Sequence, residues 1–493
     1  MYSEESLKQF IQDNLGDRKF IVVSNRQPYE HQLNQGKVVC KRGAGGIITA
    51  LDPVMQASHG TWIAVGNGTA DKKICDAAGR IQVPEDNPKY TLRRVWLNKS
   101  ENKGYYYGYS NEALWPLCHK TFERPSFEED DWESYKQVNA KFADAVLDEV
   151  GDEEAFVWIQ DYHLCLLPHL LRERMNKDQL IIAHFWHIPW PSYETFRICP
   201  QKKEILQGLL ANDLLGFHIN YHCNNFLENV EREVEARINR ENLTVISDSH
   251  TTKIQAFPIS VDYAGINHIS QTKTVENEVK AWKNNYNLDN QKIIVGAERI
   301  DYTKGLPERF LAIERLLDEH PELIGRFSFL QLGQITRIHI PKYKRLNDEL
   351  NDLMERINWK YSTDDWQPIL FIRQHLSFQR LVALFKLGDV LVVSSLHDGM
   401  NLVAKEFISA HSDESGVLVL SKFTGAAREL TEALHFNPYD LQEFAGKLYN
   451  GILMSDKEKK IRMIKLREKV MEQNIYAWAN EMISELMECA YLS

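Results

Sequence analysis

Short runs that are apolar at nearly every position recur along the chain, with helix-length stretches between them. In the first half they are Phe20–Ser24, Phe156–Ile159, Leu180–Phe185 and Leu214–Phe217. In the second half they are Lys292–Ala297, Phe327–Leu332, Ile369–Gln374, Val390–Ser395 and Val417–Ser421. Continuous β-branched runs of this kind predict strands covered on both faces. The stretch Glu308–His320 places Phe310, Ile313, Leu316 and Leu317 on one stripe, the pattern of a helix against a core. Residues Ser3 to Leu15 read as a short capped helix. Strand and helix in alternation predict parallel α/β sheets.

The pattern breaks near Ala256–Asp262. A polar segment, Ser270 to Asn290, follows, and a fresh strand opens at Lys292. This predicts an α/β fold of two doubly wound, Rossmann-like domains, 1–260 and 261–474, facing a cleft. The last helix, over 475–493, has no strand after it and is expected to cross back to the first domain. Open α/β sheets bind ligands at the carboxyl ends of their strands, so the cleft is the expected site.

Composition narrows the chemistry. The 493 residues are 43% hydrophobic and 26% charged, which suits a globular chain with ample core and excludes a disordered or collagenous one. The formal net charge of −11 argues against nucleic-acid binding, yet a few local Arg and Lys suffice for a phosphorylated ligand. Seven cysteines without a CxxC pair read as reduced thiols in a cytoplasmic protein, and no zinc-ligand spacing is present, so no zinc site is expected. No apolar run reaches the roughly 18 residues of a membrane span. Residues 1–20 lack the apolar middle of a signal peptide.

Seven clusters carry candidate chemistry. Ser24-Asn25-Arg26 ends the first strand, where Arg26 either takes a phosphate or carboxylate or is a surface residue in a turn. Gly43-Ala44-Gly45-Gly46 precedes a helical run, Ile47 to Ala57, so Gly45 and Gly46 either admit an anion to the helix start or form a plain turn. Tyr105-Tyr106-Tyr107, Asn111 and Leu114-Trp115-Pro116 offer either core aromatics or platforms for a sugar ring. Gln160-Asp161-Tyr162-His163 and His187-Ile188-Pro189-Trp190-Pro191 each follow a strand; helix capping is the competing account. In Glu298 to Gly305, Arg299 and Lys304 could neutralise a diphosphate leaving group, or form a solvated ion-paired loop. In His397 to Glu406, backbone N–H groups at 400–403 open a helix, and Glu406 either holds the two hydroxyls of a ribose or is a surface carboxylate on an ordinary capped helix.

These motifs, in this order from Arg18 to Ala479, resemble retaining glycosyltransferases of the trehalose-6-phosphate synthase family. The match rests on Ser24–Arg26, Gly45–Gly46, Tyr105–Pro116, Gln160–Leu164, His187–Pro191, Glu298–Phe310, Arg337 and Asp398–Glu406. The resemblance implies the glycosyltransferase B fold, no metal or cofactor, and transfer of glucose from a nucleotide donor, commonly UDP-glucose, to glucose 6-phosphate. The product would be α,α-trehalose 6-phosphate.

By the same resemblance Arg26, Tyr106, Trp115 and Arg337 would hold the acceptor phosphate, and Trp62 would line the acceptor pocket. Gly46, Arg299 and Lys304 would hold the donor diphosphate. Leu381, Leu402 and Val403 would lie near the nucleoside and Glu406 on its ribose. Asp161, His187 and Asp398, with the backbone of Gly399, Met400 and Asn401, would contact the transferred glucose or the acceptor.

The chain departs from the family pattern at His397, at Trp190, over Arg197 to Gln201 and over Gly333 to Ile335; these changes are expected near the donor or acceptor walls. The competing readings are a glucosylglycerol-phosphate synthase using glycerol 3-phosphate and a catalytically silent sugar-phosphate sensor. A nicotinamide oxidoreductase lacks its dinucleotide fingerprint here. The sequence leaves a homo-oligomer open. It shows no second, phosphatase-like motif, so a separate trehalose-phosphate phosphatase is the expected partner.

Overall fold

The computed structural model describes all residues except 1, 17, 44, 45, 176–178, 336, 338, 375 and 493, with 490–492 described in backbone only. The chain forms two compact units, Met1–Ile259 with Ile475–Ser493, and Ser260–Asn474.

The strands of the first unit are β1 (Lys19–Arg26), β2 (Tyr29–Asn34), β3 (Lys37–Arg42), β4 (Thr61–Val65), β5 (Arg80–Val83), β6 (Tyr90–Val95), β7 (Ala155–Gln160), β8 (Leu180–Phe185), β9 (Leu214–Phe217), β10 (Arg237–Asn239), β11 (Thr244–Ser247) and β12 (His250–Ala256). Among the described residues, ten of them make one sheet in the order β10-β11-β12-β9-β8-β7-β1-β4-β6-β5, while β2 and β3 pair as a separate hairpin. The central pairs are parallel, but β10–β11, β11–β12 and β5–β6 are antiparallel. The sheet is therefore mixed rather than wholly parallel as expected, because short antiparallel strands close both of its edges. The helix Ile475–Leu492 belongs to this unit: Trp478 packs on Trp158 and Phe185 at 4.9 and 5.1 Å between ring centroids, and Glu485 ion-pairs with Lys253.

The second unit holds β13 (Lys292–Arg299), β14 (Phe327–Gln334), β15 (Ile369–Ile372), β16 (Val390–Val393), β17 (Val417–Ser421) and β18 (Leu434–Phe436). They pair in parallel in the order β15-β14-β13-β16-β17-β18, a doubly wound topology that reverses direction between β13 and β16. The predicted helical stripe is real: Phe310, Ile313, Leu316 and Leu317 on the helix Leu306–Glu319 are buried against Phe327, Phe329 and Phe444.

Strands buried on both faces match their apolar runs closely, and β8, β9 and β17 have the expected ends. The expected strand Val390–Ser395 stops at Val393 because Ser394 and Ser395 leave the ladder to hydrogen-bond the loop side chains and carbonyls beside them. The strand Ile369–Gln374 likewise stops at Ile372.

Candidate active site

In an open α/β sheet the two loops at the point of reversal splay apart and leave a crevice at the strand ends. In the second unit those loops follow β13 and β16. Beyond Arg299, the Asp301 carboxylate accepts from Thr303 N–H and Oγ1 at 3.0 and 2.9 Å and shapes a tight turn, Tyr302–Lys304. Gly305 closes the turn at φ +60°, and a Cβ there would lie 2.3 Å from the Ser394 carbonyl oxygen, so glycine is required. The turn aims Lys304 across the crevice, where Nζ donates to Asp398 Oδ2 at 2.6 Å. Asp398 also accepts from Ser395 Oγ at 3.0 Å and Asn401 Nδ2 at 3.3 Å.

Asn401 sits at φ +86° and caps the helix Leu402–Ala410 by accepting from Ala404 N–H at 3.2 Å. This conformation is costly for a non-glycine residue, and such strain gathers at ligand sites. Leu402 and Val403 are half-buried on the first turn; Gly399 and Met400 are buried; Leu381 is half-buried on the helix Phe378–Leu387. Glu406 is buried on the second turn, and burial pushes its carboxyl up to about 7.

The Glu406 shift carries a prediction. The folded state holds this proton up to about pH 7, while an unfolded Glu releases it near pH 4.3, so stability falls as pH rises through that window. Glu406→Gln is therefore expected to stabilise the ligand-free protein at pH 8 by about 1–3 kcal/mol, with little gain at pH 5. Denaturation midpoints that show the same gain at both pH values would refute this.

Arg337, at φ +54°, turns its guanidinium back into the unit. Its Nη1 donates to Tyr343 Oη at 2.7 Å and to Asp301 Oδ2 at 3.3 Å, and Tyr343 Oη donates to the same oxygen at 3.1 Å. Burial raises the Asp301 carboxyl, but the cations Arg337, Arg299 and Lys304 and the Thr303 N–H outweigh it and hold it below the ordinary range. Lys304 and Arg337 are thus each oriented by a carboxylate, and Arg299 ends β13 close enough to Asp301 to lower its carboxyl.

In the first unit the order reverses between β1 and β7. Arg26 ends β1, half-buried, with Nη2 3.5 Å from Tyr106 Oη. Tyr106 lies on a π-helix, Lys103–Leu114, and the alternatives for its aromatics resolve residue by residue: Tyr105 and Tyr109 are core, Tyr106 and Tyr107 half-exposed. Such widened turns are frequent at functional sites. Trp115 is buried, its ring 4.2 Å from that of His119.

Asp161 follows β7 at φ +71°, and its Oδ1 accepts from the His187 backbone N–H at 3.2 Å. His187 Nε2 donates to Gln160 Oε1 at 2.8 Å, which leaves Nδ1 as an acceptor. Burial and the neighbouring His218, His184 and His163 hold the His187 imidazole well below its usual value, so it is neutral at pH 7. Gly46 is exposed at the start of the helix Gly46–Ser58, and Gly45 lies outside the described residues.

Two expectations are corrected. Trp62 is fully buried and its indole N–H donates to Ser24 Oγ at 2.8 Å, so it supports the end of β1 from below rather than lining a pocket. Trp190 is also buried, packed on Trp186, Phe226 and Phe196 at 4.7, 4.9 and 5.1 Å, so this departure enlarges the core and not a ligand wall. Sequence reasoning missed the roles of Gln160, Asp301, Tyr343 and Arg309. Gln160, Asp301 and Tyr343 each meet a partner 27 to 42 residues away, and Arg309 one 85 residues away; only an Arg on an otherwise apolar helical stripe hinted at the last.

Among the described residues, His31, Cys40 and Glu85 bring three potential metal ligands within 4.8 Å of one another. The Arg94 guanidinium, which can only donate, points Nη2 at His31 Nδ1 at 2.8 Å. The imidazole proton therefore sits on Nε2, facing Glu85 Oε1 at 2.7 Å, and a cation would have to displace it beside a buried guanidinium. The donor set does not suit a metal.

The family model described as Glycosyltransferase family 20 matches residues 18–488. An α,α-trehalose-phosphate synthase (UDP-forming) from Pichia angusta is 34% identical over 476 residues, 94% of this chain and 98% of that protein. A solved structure from E. coli described as trehalose-6-phosphate bound with UDP-2-fluoro glucose aligns at TM-score 0.84 and 30% identity, covering 95% of this chain and 99% of that one. A Burkholderia xenovorans α,α-trehalose-phosphate synthase (UDP-forming) in complex with glucose-6-phosphate aligns at TM-score 0.85 and 30% identity, with coverage of 95% and 99%.

Proposed function

The chain belongs to glycosyltransferase family 20, and we infer that it is a retaining glucosyltransferase. It moves glucose from a nucleotide-glucose donor, UDP-glucose, to glucose 6-phosphate and releases α,α-trehalose 6-phosphate. The observation that carries this reading is the Lys304–Asp398 pair beside Arg299 at the reversal of the second sheet, in a chain alike over nearly its whole length to UDP-forming synthases.

The chemistry follows from charge. Breaking the donor C1–O bond puts negative charge on the diphosphate and positive charge on the sugar. Arg299, Lys304 and the N-terminus of the helix Leu402–Ala410 stabilise the first, already oriented and with little reorganisation. In this reading the second unit binds the donor, with Leu381, Leu402 and Val403 by the nucleoside and Glu406 on the ribose. Arg26, Tyr106 and Trp115 in the first unit, with Arg337, take the acceptor phosphate. Asp161 and His187 meet the sugar hydroxyls, His187 through its acceptor Nδ1. The leaving phosphate deprotonates the acceptor on the front face of the sugar, which retains configuration without a covalent nucleophile; a trapped glycosyl-enzyme adduct would contradict that route.

Cationic side chains do here what a metal does elsewhere, so the reading includes metal-independent turnover, and activity is expected to survive excess EDTA. Loss of activity with EDTA and its return with a divalent ion would overturn that part. A separate phosphatase acting on the product completes the proposal.

The substrate test measures nucleoside-diphosphate release from UDP-, ADP- and GDP-glucose against glucose 6-phosphate, glycerol 3-phosphate and free glucose. Turnover with UDP-glucose and glucose 6-phosphate alone is expected. Turnover with glycerol 3-phosphate instead would identify a glucosylglycerol-phosphate synthase, and none with any pair would favour a sugar-phosphate sensor.

A further inference from the structure

Arg309 lies fully buried on the helix Leu306–Glu319 and touches none of the steps above. Its guanidinium reaches across three neighbouring strands. Nη2 donates to Glu298 Oε2 on β13 at 2.5 Å, Nη1 to Gln331 Oε1 on β14 at 2.8 Å, and Nε to Ser394 Oγ just past β16 at 2.9 Å. The Ser394 hydroxyl shares its hydrogen between the carbonyls of Gly305 and Lys304, at 2.7 and 2.9 Å. The fold makes room for this fork: a Cβ on Gly296 would lie 2.3 Å from Arg309 Nη1 and 2.5 Å from Gln331 Oε1.

A buried ion pair is weak evidence of stability, because desolvating two ions offsets their attraction. Burial indeed raises the Glu298 carboxyl and lowers the Arg309 guanidinium. What a planar, rigid donor fork supplies well is geometry. Glu298 immediately precedes Arg299 in the chain, and the two carbonyls reached through Ser394 belong to Lys304 and its neighbour. One side chain therefore registers both ends of the loop that carries these two cations.

We propose that Arg309 is a positioning residue for the donor diphosphate, setting through Glu298 and Ser394 the backbone that presents Arg299 and Lys304. The proposal rests on the reading of Arg299 and Lys304 as diphosphate ligands.

The test uses the full chain and two variants that leave no buried charge unpaired. In the pair Glu298→Gln with Arg309→Met, both charges go together. In Gly296→Ala, both charges stay and the fork is displaced. Thermal midpoint, KM for UDP-glucose, KM for glucose 6-phosphate and UDP affinity by calorimetry are measured for each. Both variants are expected to raise KM for UDP-glucose and to weaken UDP binding by about 10- to 100-fold. KM for glucose 6-phosphate should stay within about twofold of the original, since a donor-side shift leaves acceptor contacts alone.

A folded charge-free pair with the original donor KM would show that Arg309 serves only as counter-ion to Glu298, and would overturn the proposal. So would Gly296→Ala with unchanged donor KM. If the charge-free pair does not fold, Gly296→Ala decides. Lys304→Ala, run alongside, separates the two levels: unchanged UDP affinity there would instead sink the underlying reading of the loop.

Discussion

Replacing Lys304 by alanine is expected to lower kcat/KM for UDP-glucose by about 10²- to 10³-fold, the scale of losing one oriented group at developing negative charge. Lys304 is the cation most firmly aimed at the crevice. A required left-handed glycine ends its turn, and its ammonium sits 2.6 Å from Asp398 Oδ2 with only 13% of the side chain exposed. In so dry a site a missing charge is poorly replaced by water. The fold should tolerate the change, because Asp398 keeps its bonds from Ser395 and Asn401. The effect should fall on kcat as well as KM, since the charge it meets grows as the donor bond breaks. Steady-state kinetics with a thermal midpoint beside them check this. A folded variant within about threefold of the original would remove Lys304 from the mechanism, given the scale set by such groups.

Arg337→Ala is expected to cost about 3 kcal/mol of stability near neutral pH and to raise KM for glucose 6-phosphate. The ion pair it breaks is almost wholly inside, with side-chain exposures of 5% for Arg337 and 0% for Asp301. Removing one partner leaves a buried carboxylate whose main counter-charge is gone, a larger penalty than the pair itself was worth. The sign with pH follows. Asp301 is depressed in the folded state, so its stabilising contribution is present above the ordinary carboxylate value and lost as pH falls through its folded value. In the variant the largest charge opposing burial is gone and the carboxyl protonates more readily, so the deficit narrows on acidification. Denaturation curves at pH 7.5 and pH 5 check the trend. An equal deficit at both would assign the loss to packing of the arginine stem instead.

How far the chain could be read beforehand differs from place to place. The strands β8, β9 and β17 were legible to the residue, because a parallel strand covered on both faces must be apolar throughout. β4 and β6 escaped notice. β6 carries Arg93 and Arg94, which are buried only because Asp148 and Glu149 reach the first, and Gln27, His31 and Asp71 reach the second. The edge strands β10 and β11 lie on a sheet margin, where one face sees solvent and no continuous run is needed.

The sequence by itself determined the alternation of strand and helix, hence the doubly wound α/β class, and the ordered motifs that mark the family and its reaction. Burial periodicity and short loop chemistry are local, so they can be read from neighbouring letters. The tertiary structure alone decided which groups meet. It turned Trp62 and Trp190 into core and drew Asp301 to an arginine 36 residues away. It forced Asp161 and Asn401 to positive φ and put Glu406 where water no longer favours its charge. Those outcomes depend on contacts between distant segments and on the dielectric they create, and neither quantity belongs to any one stretch of chain.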